Sequence, residues 1–297
     1  MVLFCISLTY SYLCKMKKLL FLMLMMLFLT LQTAEAQQYT KKDSVRVMEL
    51  FAEAKQQKSD TNWMVFFARK FRGVPYVAKT LEINAEEQLI VNLRQLDCTT
   101  LVETALALTL CMKNEATTFA DYCRYLRLVR YRDGIVSYPD RLHYFTDWID
   151  DNTRLGFVRE VALPRTIPTV RQTLRIDYMS THVEQYPMLL AQPEWVEIIR
   201  KSEKKLTGQT HFYIPKNQIS DNAHFRQAIH DGDILAITTS KRGLDTSHIG
   251  IAVWKKDGLH LLNASMIRKK VVEEPMTLRQ YMQKQKSQTG IRVIRVR

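Results

Sequence analysis

A single cysteine, Cys98, sits in the segment Asp97-Cys98-Thr99-Thr100-Leu101-Val102-Glu103, and behind it apolar residues recur at Leu101, Ala105, Leu108 and Met112. That spacing is one face of a helix. Asp97 and Thr100 are both N-cap residue types, and Thr100 with Glu103 fits a capping box, so a helix is predicted to begin beside the thiol. A thiol at a helix start faces unpartnered peptide N–H groups and the positive end of the helix dipole. The setting favours the nucleophilic thiolate and can lower a cysteine pKa from about 8.5 to roughly 3.5–7.5. A carboxylate at Asp97 opposes this by like-charge repulsion, unless it turns onto the helix N–H groups or is offset by Arg94. Most cysteines are only small buried hydrophobes. A nucleophile needs a base.

The second half of the chain supplies one. Ser247-His248-Ile249-Gly250-Ile251-Ala252-Val253-Trp254 alternates like a strand, and Leu259-His260-Leu261-Leu262-Asn263-Ala264-Ser265 reads as the next, joined through Lys256-Asp257-Gly258. An antiparallel hairpin here brings His248 and Asn263 to neighbouring positions on one face. An imidazole can take a thiol proton, and an amide can fix the imidazole's tautomer and orientation. The alternative for His248 is a hydrogen-bonded core histidine, and for Asn263 a polar strand end.

The elements that must position these residues follow from periodicity and punctuation. Residues 41–58 read as an amphipathic helix. Residues 63–71 read as a second helix, closed by Gly73 and Pro75, and residues 98–113 and 119–130 as two more. Residues 132–163 are aromatic, charged and irregular, and a further helix is predicted from near Pro193. Strands are predicted over 212–214, 233–239, 248–254, 259–263, 270–273 and 291–296. Helices first and strands last predict an α+β domain. No repeat, low-complexity tract or Gly/Ser linker interrupts it.

Lys17 and Lys18 precede an apolar run over 19–29, and Thr33-Ala34-Glu35-Ala36-Gln37 follows. A basic start, a short apolar stretch and an Ala-x-Ala site describe a secretory leader, predicted over residues 1–36 with cleavage after Ala36. The run is too short to span a membrane as a helix, which takes roughly 20 apolar residues. Residues 1–15 add nothing a leader needs, so Met16 is an equally good start. Cys14 precedes the apolar run and follows Leu13, which argues against a lipoprotein.

Residues 37–297 are then expected to be a single catalytic domain, large enough for a core without staples. Three of the five cysteines remain in it, an odd number that suits a free thiol. The formal charge is +13; the leader holds three lysines and one glutamate, which leaves +11 on the rest. A basic surface suits anionic partners. Export and the lack of any nucleic-acid-binding motif exclude DNA and RNA. No His-Glu-x-x-His, paired Cys-x-x-Cys or glycine-rich phosphate loop is present, and His182, His211, His224 and His230 are scattered, so neither metal nor cofactor is expected. Arg141, His143, Tyr144 and Trp148 crowd one short segment, a composition that suits contact with a sugar or peptide and equally suits a packed aromatic loop.

Four segments together resemble the NlpC-type papain-like cell-wall hydrolases: Gly73-Val74-Pro75-Tyr76, Leu96-Asp97-Cys98-Thr99-Thr100-Leu101-Val102-Glu103, Asp231-Gly232-Asp233-Ile234 and Ser247-His248-Ile249-Gly250-Ile251. Cysteine, histidine and a third polar residue stand in papain-like order, His248 following Cys98 by 150 positions. Asp140-Arg141-Leu142-His143-Tyr144-Phe145-Thr146-Asp147-Trp148 resembles a narrower branch, once known only as a domain of unknown function and now associated with N-acetylmuramoyl-L-alanine amidase activity.

The resemblance covers residues from about 65 to the C-terminus. It implies a papain-like core, N-terminal helices on an antiparallel sheet, with residues 114–230 largely an elaboration over the cleft. It implies a periplasmic or cell-envelope enzyme of a bacterium acting on peptidoglycan or muropeptides through Cys98, His248 and Asn263. Tyr76 and the peptide N–H of Cys98 would serve the oxyanion. The third position in such enzymes is more often histidine, and Asn263 departs from that pattern. Two other readings stay open: an endopeptidase cutting after D-glutamate of the stem peptide, and a wall-binding protein without activity.

Overall fold

The computed structural model describes residues 37–297; the predicted leader and its cleavage site lie outside them. In chain order the helices are α1 (Lys41–Ala54), α2 (Trp63–Lys70), α3 (Cys98–Lys113), α4 (Phe119–Arg130), α5 (Phe145–Arg154), α6 (Tyr178–Thr181), α7 (Pro187–Ala191), α8 (Glu194–Leu206), α9 (Ala223–Ala228) and α10 (Leu278–Gln283). The strands are β1 (Gln37–Gln38), β2 (Leu89–Ile90), β3 (Val158–Glu160), β4 (Val170–Thr173), β5 (Thr210–Pro215), β6 (Ile234–Thr239), β7 (Thr246–Lys255), β8 (Gly258–Ser265), β9 (Lys270–Glu273) and β10 (Gln288–Val296).

An antiparallel sheet in the order β4-β5-β10-β6-β7-β8-β9 organises the molecule, with β3 also paired to β10. β1 and β2 form a separate parallel pair. Mixed α and β elements around an antiparallel sheet match the expected α+β class. Among the described residues no helix is long and apolar enough to cross a membrane.

Helices cover both faces of the sheet. On one face α1–α5 pack with Ile249, Ile251 and Val253 of β7 and Leu262 and Ala264 of β8. On the other, α9 and α10 pack with Leu235 and Ile237 of β6, Ala252 and Leu261. Every residue of β6 and β8 is buried, including the polar His260, Asn263 and Ser265 of β8. A third, smaller cluster joins Tyr138 and Tyr144 to Leu174, Ile176, Leu189, Ile199 and Leu206. That cluster belongs to the segment 114–230, yet α4 and α5 of the same segment pack into the main core.

α3 is the central helix. The sequence suggests one apolar face, but residues 100–111 are all buried, with α2 and α4 beside it and β7 and β8 beneath. A helix apolar on every side belongs in a core. Each buried leucine contributes about 1.5–3 kcal/mol, so α3 is anchored far more firmly than a surface helix. Glu103, at its second turn, faces Arg130 of α4 with Oε2 2.6 Å from Nε. Removing one partner of such a buried pair costs roughly 3–5 kcal/mol, because it strands a charge. This pairing also corrects the capping expectation. The box at the start of α3 is made by Asp97 and Thr100, and Glu103 takes no part.

Candidate active site

Cys98 is the first residue of α3. Asp97, in extended conformation, accepts a hydrogen bond from the Thr100 N–H (2.8 Å), and the Thr100 hydroxyl accepts one from the Asp97 N–H (2.9 Å). The carboxylate beside the thiol is thus committed to capping the helix. Arg94 does not offset it, because Arg94 pairs with Asp43 of α1. Cys98 keeps part of its surface accessible, whereas Cys111 and Cys123 are buried, and all three thiols are free.

His248 lies near the start of β7, which passes beneath α3. Just before it the ladder with β6 slips by one residue: Ile237 faces His248 but Thr238 faces Thr246. The extra residue, Ser247, forms a bulge, a device that re-aims neighbouring side chains. Asp245 anchors the approach, its carboxylate accepting from the N–H groups of Thr146 (2.6 Å) and Thr246 (2.7 Å).

The hairpin of β7 and β8 sets Ile251 opposite Leu262. One step further along the register, Asn263 stands opposite Gly250, on the diagonal from His248. Such diagonal neighbours can meet across a sheet, and here they do. His248 Nε2 lies 2.9 Å from Asn263 Oδ1. An amide oxygen can only accept, so Nε2 carries the proton and Nδ1 is left as the basic nitrogen. The amide Nδ2 donates to Leu261 O (3.4 Å), which fixes the end turned to the ring. Gly250 permits this approach. A Cβ there would sit 2.7 Å from Leu261 Cδ1 and 2.9 Å from Leu262 O, forcing β8 away and Asn263 with it.

Tyr76 is brought to the thiol by backbone bonds. Leu96 N–H donates to Pro75 O (3.1 Å), Val77 N–H to Leu96 O (3.1 Å) and Tyr76 N–H to Lys269 O (3.0 Å). Gly73, at φ +88°, makes the turn that starts this segment, a backbone region that favours glycine. The Tyr76 hydroxyl is pushed up to about 12 by burial, then by Cys98 and Asp97. It stays protonated and able to donate.

The electrostatics reverse one expectation. The Cys98 thiol is pushed up to about 12, first by burial and then by the Asp97 carboxylate. The N–H groups of Ile249 and Thr99 and the Thr99 hydroxyl oppose this without overcoming it. Desolvation outweighs the helix start because it penalises the whole thiolate charge, whereas a helix terminus supplies only about half a charge. Burial also draws His248 below its usual value, opposed by the Asn263 bond and by the charges of Glu274 and Asp97. At neutral pH the pair therefore rests as thiol and neutral imidazole.

The aromatic segment does not reach this site as a surface. Trp148 is fully buried and stacked on Phe145, with centroids 4.6 Å apart. Tyr144 is buried, its hydroxyl donating to Glu203 Oε1 (2.7 Å) and accepting from Met179 N–H (3.0 Å). Arg141 is buried over the Tyr138 ring, within 3.3 Å of Glu82 and 3.5 Å of Glu87. His143 donates from Nε2 to Tyr138 O (2.8 Å), and burial with the Arg141 charge lowers it to about 3. Arg141, Tyr144 and Trp148 are buried and His143 is partly buried, so packing accounts for their positions. Aromatic and basic side chains that could stack on a sugar fill a polar-edged core equally well. Among the described residues no group of His, Cys, Asp and Glu could hold a metal ion.

Asp245, Glu274 and Tyr281 support the site and were missed from sequence. Their roles depend on long-range contacts that no local pattern carries.

The Ile249 N–H of β7 reaches the Cys98 sulfur, which sets the start of α3 beside the strand that carries the amide-oriented His248 imidazole. The model of the N-acetylmuramoyl-L-alanine amidase-like family, AmiA-like, matches residues 66–291, and the chain belongs to that family. It is similar to an N-acetylmuramoyl-L-alanine amidase from Bacteroides uniformis, at 39% identity and a TM-score of 0.73 over 79% of this chain and 98% of that one. It is also similar to a Bacteroides fragilis protein provisionally described as a xylanase, at 42% identity and a TM-score of 0.70 over 77% and 98%. A Legionella pneumophila protein at 21% identity shares the fold, with a TM-score of 0.66 over 86% of this chain and 95% of that one. No curated protein matches the chain.

Proposed function

We propose that this chain is an exported cysteine amidase with a papain-like, NlpC-type core, hydrolysing the amide between N-acetylmuramic acid and L-alanine in peptidoglycan fragments. The observation that carries the reading is the 2.9 Å bond between His248 Nε2 and Asn263 Oδ1, in a family named for that amide. Cys98 Sγ attacks the lactyl carbonyl carbon while its proton passes to His248 Nδ1. The carbonyl oxygen becomes an oxyanion facing the Cys98 N–H, which as the first helical donor has no intrahelical acceptor. The Tyr76 hydroxyl, which stays protonated beside Cys98, adds a second donor.

Collapse breaks the C–N bond, and His248 returns the proton to the departing L-alanine nitrogen. The muramyl acyl group is left as a thioester. Water, deprotonated by His248, then attacks the thioester, releasing the muramic carboxylic acid and restoring the thiol. No cofactor enters this cycle. Stem peptides carry carboxylates that suit the +11 formal charge left once the leader is removed.

A glycosidase of the usual kind needs two carboxyl groups flanking an open groove. The acids nearest this site are Asp97, held as a helix cap, and Glu274, which is 1% exposed. They offer no such pair. Cleavage after D-glutamate uses the same catalytic groups as the amidase, so the bond must be assigned by product. Mass spectrometry of a defined muropeptide digest decides it. Free muramyl sugar with an intact stem peptide is expected, and a shortened stem would overturn the amide assignment.

A further inference from the structure

The ladder between β8 and β9 sets Asn263 opposite Val272 and Leu262 opposite Glu273. Glu274 continues it, its N–H donating to Leu261 O (2.9 Å). Alternation along the strands puts the Glu274 side chain on the sheet face that bears Asn263 and His248, one diagonal step beyond Asn263. Its carbonyl oxygen accepts from His260 Nδ1 (2.8 Å), which pins the backbone. The carboxylate is 1% exposed. One oxygen, Oε2, lies 3.4 Å from Arg268 Nε, while Oε1 is buried without a hydrogen-bond partner among the described residues. Arg268 rises from the exposed turn between β8 and β9 and is itself 40% exposed, so it neutralises the carboxylate only in part.

A buried oxygen left unpaired carries its desolvation cost with nothing to offset it. An apolar residue of similar size would avoid that cost. What an apolar residue could not supply is a fixed charge next to the imidazole. The titratable groups that act on or face His248 come from three other elements: Asp97 at the start of α3, Tyr281 of α10, whose ring centroid is 6.4 Å away, and Glu274; Cys98 in turn acts on Tyr281. Asn263 is neutral, and Asp97, which caps α3, acts on His248 after Glu274 does. Of the two carboxylates, Glu274 stands on the sheet face that bears His248 and Asn263.

We propose that Glu274 is a positioning residue whose buried carboxylate favours the imidazolium formed on His248 when the thiol gives up its proton. The inference rests on the reading of His248 as the general base. By its effect on the ring, Glu274 offsets part of the burial that disfavours a protonated His248. The Arg268 guanidinium tempers that effect from the outer side.

The test is Glu274→Gln, which keeps shape and removes charge. The His248 ring is titrated by NMR in the unsubstituted and E274Q proteins, and kcat/KM is followed against pH. Both the ring ionisation and the acid limb are expected to move down by roughly one pH unit, the ordinary size of a neighbouring-charge effect. An ionisation unmoved by E274Q would overturn the proposal. A merely structural role would change Tm and leave the titration alone. Should E274Q fold poorly, Arg268→Ala gives the opposite sign, an upward shift, and no shift there would be equally fatal. The NMR titration does not require turnover. An active Cys98→Ala protein would therefore sink the amidase mechanism and leave this result to be judged separately.

Discussion

His248 donates from Nε2 to Asn263 Oδ1 across the hairpin at 2.9 Å, so its other nitrogen alone can receive a proton. Everything else near the thiol is consistent with that polarity: the bulge that aims the ring, the glycine that lets β8 close on β7, and the buried acid behind. The site is thus defined less by the cysteine's local setting than by a sheet that fixes which imidazole nitrogen is basic.

Asn263→Ala should therefore damage turnover more than binding. Orientation is one part of the ~10²–10⁴-fold that general acid–base catalysis supplies, so a loss of kcat of roughly ten- to a hundredfold is expected with KM nearly unchanged. Steady-state kinetics on a defined muropeptide measure it. A change in KM alone would mean that Asn263 touches substrate and does not hold the ring.

The pH profile carries a definite sign. His248 must be neutral to accept the thiol proton, and burial lowers its ionisation below the ordinary value. kcat/KM should hold at neutral pH and fall only as pH drops through a point below about 6.5. With Cys98 pushed up to about 12, no second rise should accompany thiolate formation near pH 8–9, the ordinary range for a free thiol. A direct titration showing the thiolate already formed at pH 6 would contradict both halves.

Alkylation separates an active thiol from a structural one. Cys98 is partly accessible, whereas Cys111 and Cys123 are 0% and 1% exposed. Iodoacetamide should label Cys98 first in the native protein near neutral pH, and His248→Ala should slow that labelling by removing the base. Peptide mapping reads the sites. Equal labelling of all three would favour a binding protein over an enzyme.

Trp148 tests whether the aromatic segment packs or recognises. Trp148→Ala should cost about 3–5 kcal/mol in urea unfolding, the range for a buried aromatic, while kcat/KM per folded molecule stays near the unsubstituted value. Unchanged stability with a collapsed KM would return Trp148 to the substrate.

Much of this was readable from residues alone, and the boundary between legible and illegible has a physical cause. α3 and α4 begin and end where capping residues and a 3.6-residue period place them, because caps and periods are local. The β7–β8 hairpin was equally plain from alternation around Lys256-Asp257-Gly258. α5 was not, although Phe145, Trp148 and Ile149 carry helical spacing, because charged residues dilute the signal. The thiol's ionisation went the wrong way for a similar reason. The helix start is written in the sequence, but the burial that overrides it arises only when the chain is folded. Glu274 lay hidden in a Glu-Glu-Pro run that reads as a solvated strand end until β8 is laid beside it.

The most direct measurement is the turnover of Cys98→Ala beside the unsubstituted protein, with folding checked by circular dichroism. The account predicts an intact fold and a loss of turnover of roughly 10⁵–10⁶-fold, as when a catalytic nucleophile is deleted. A folded Cys98→Ala protein that still releases stem peptide at the unsubstituted rate would contradict it.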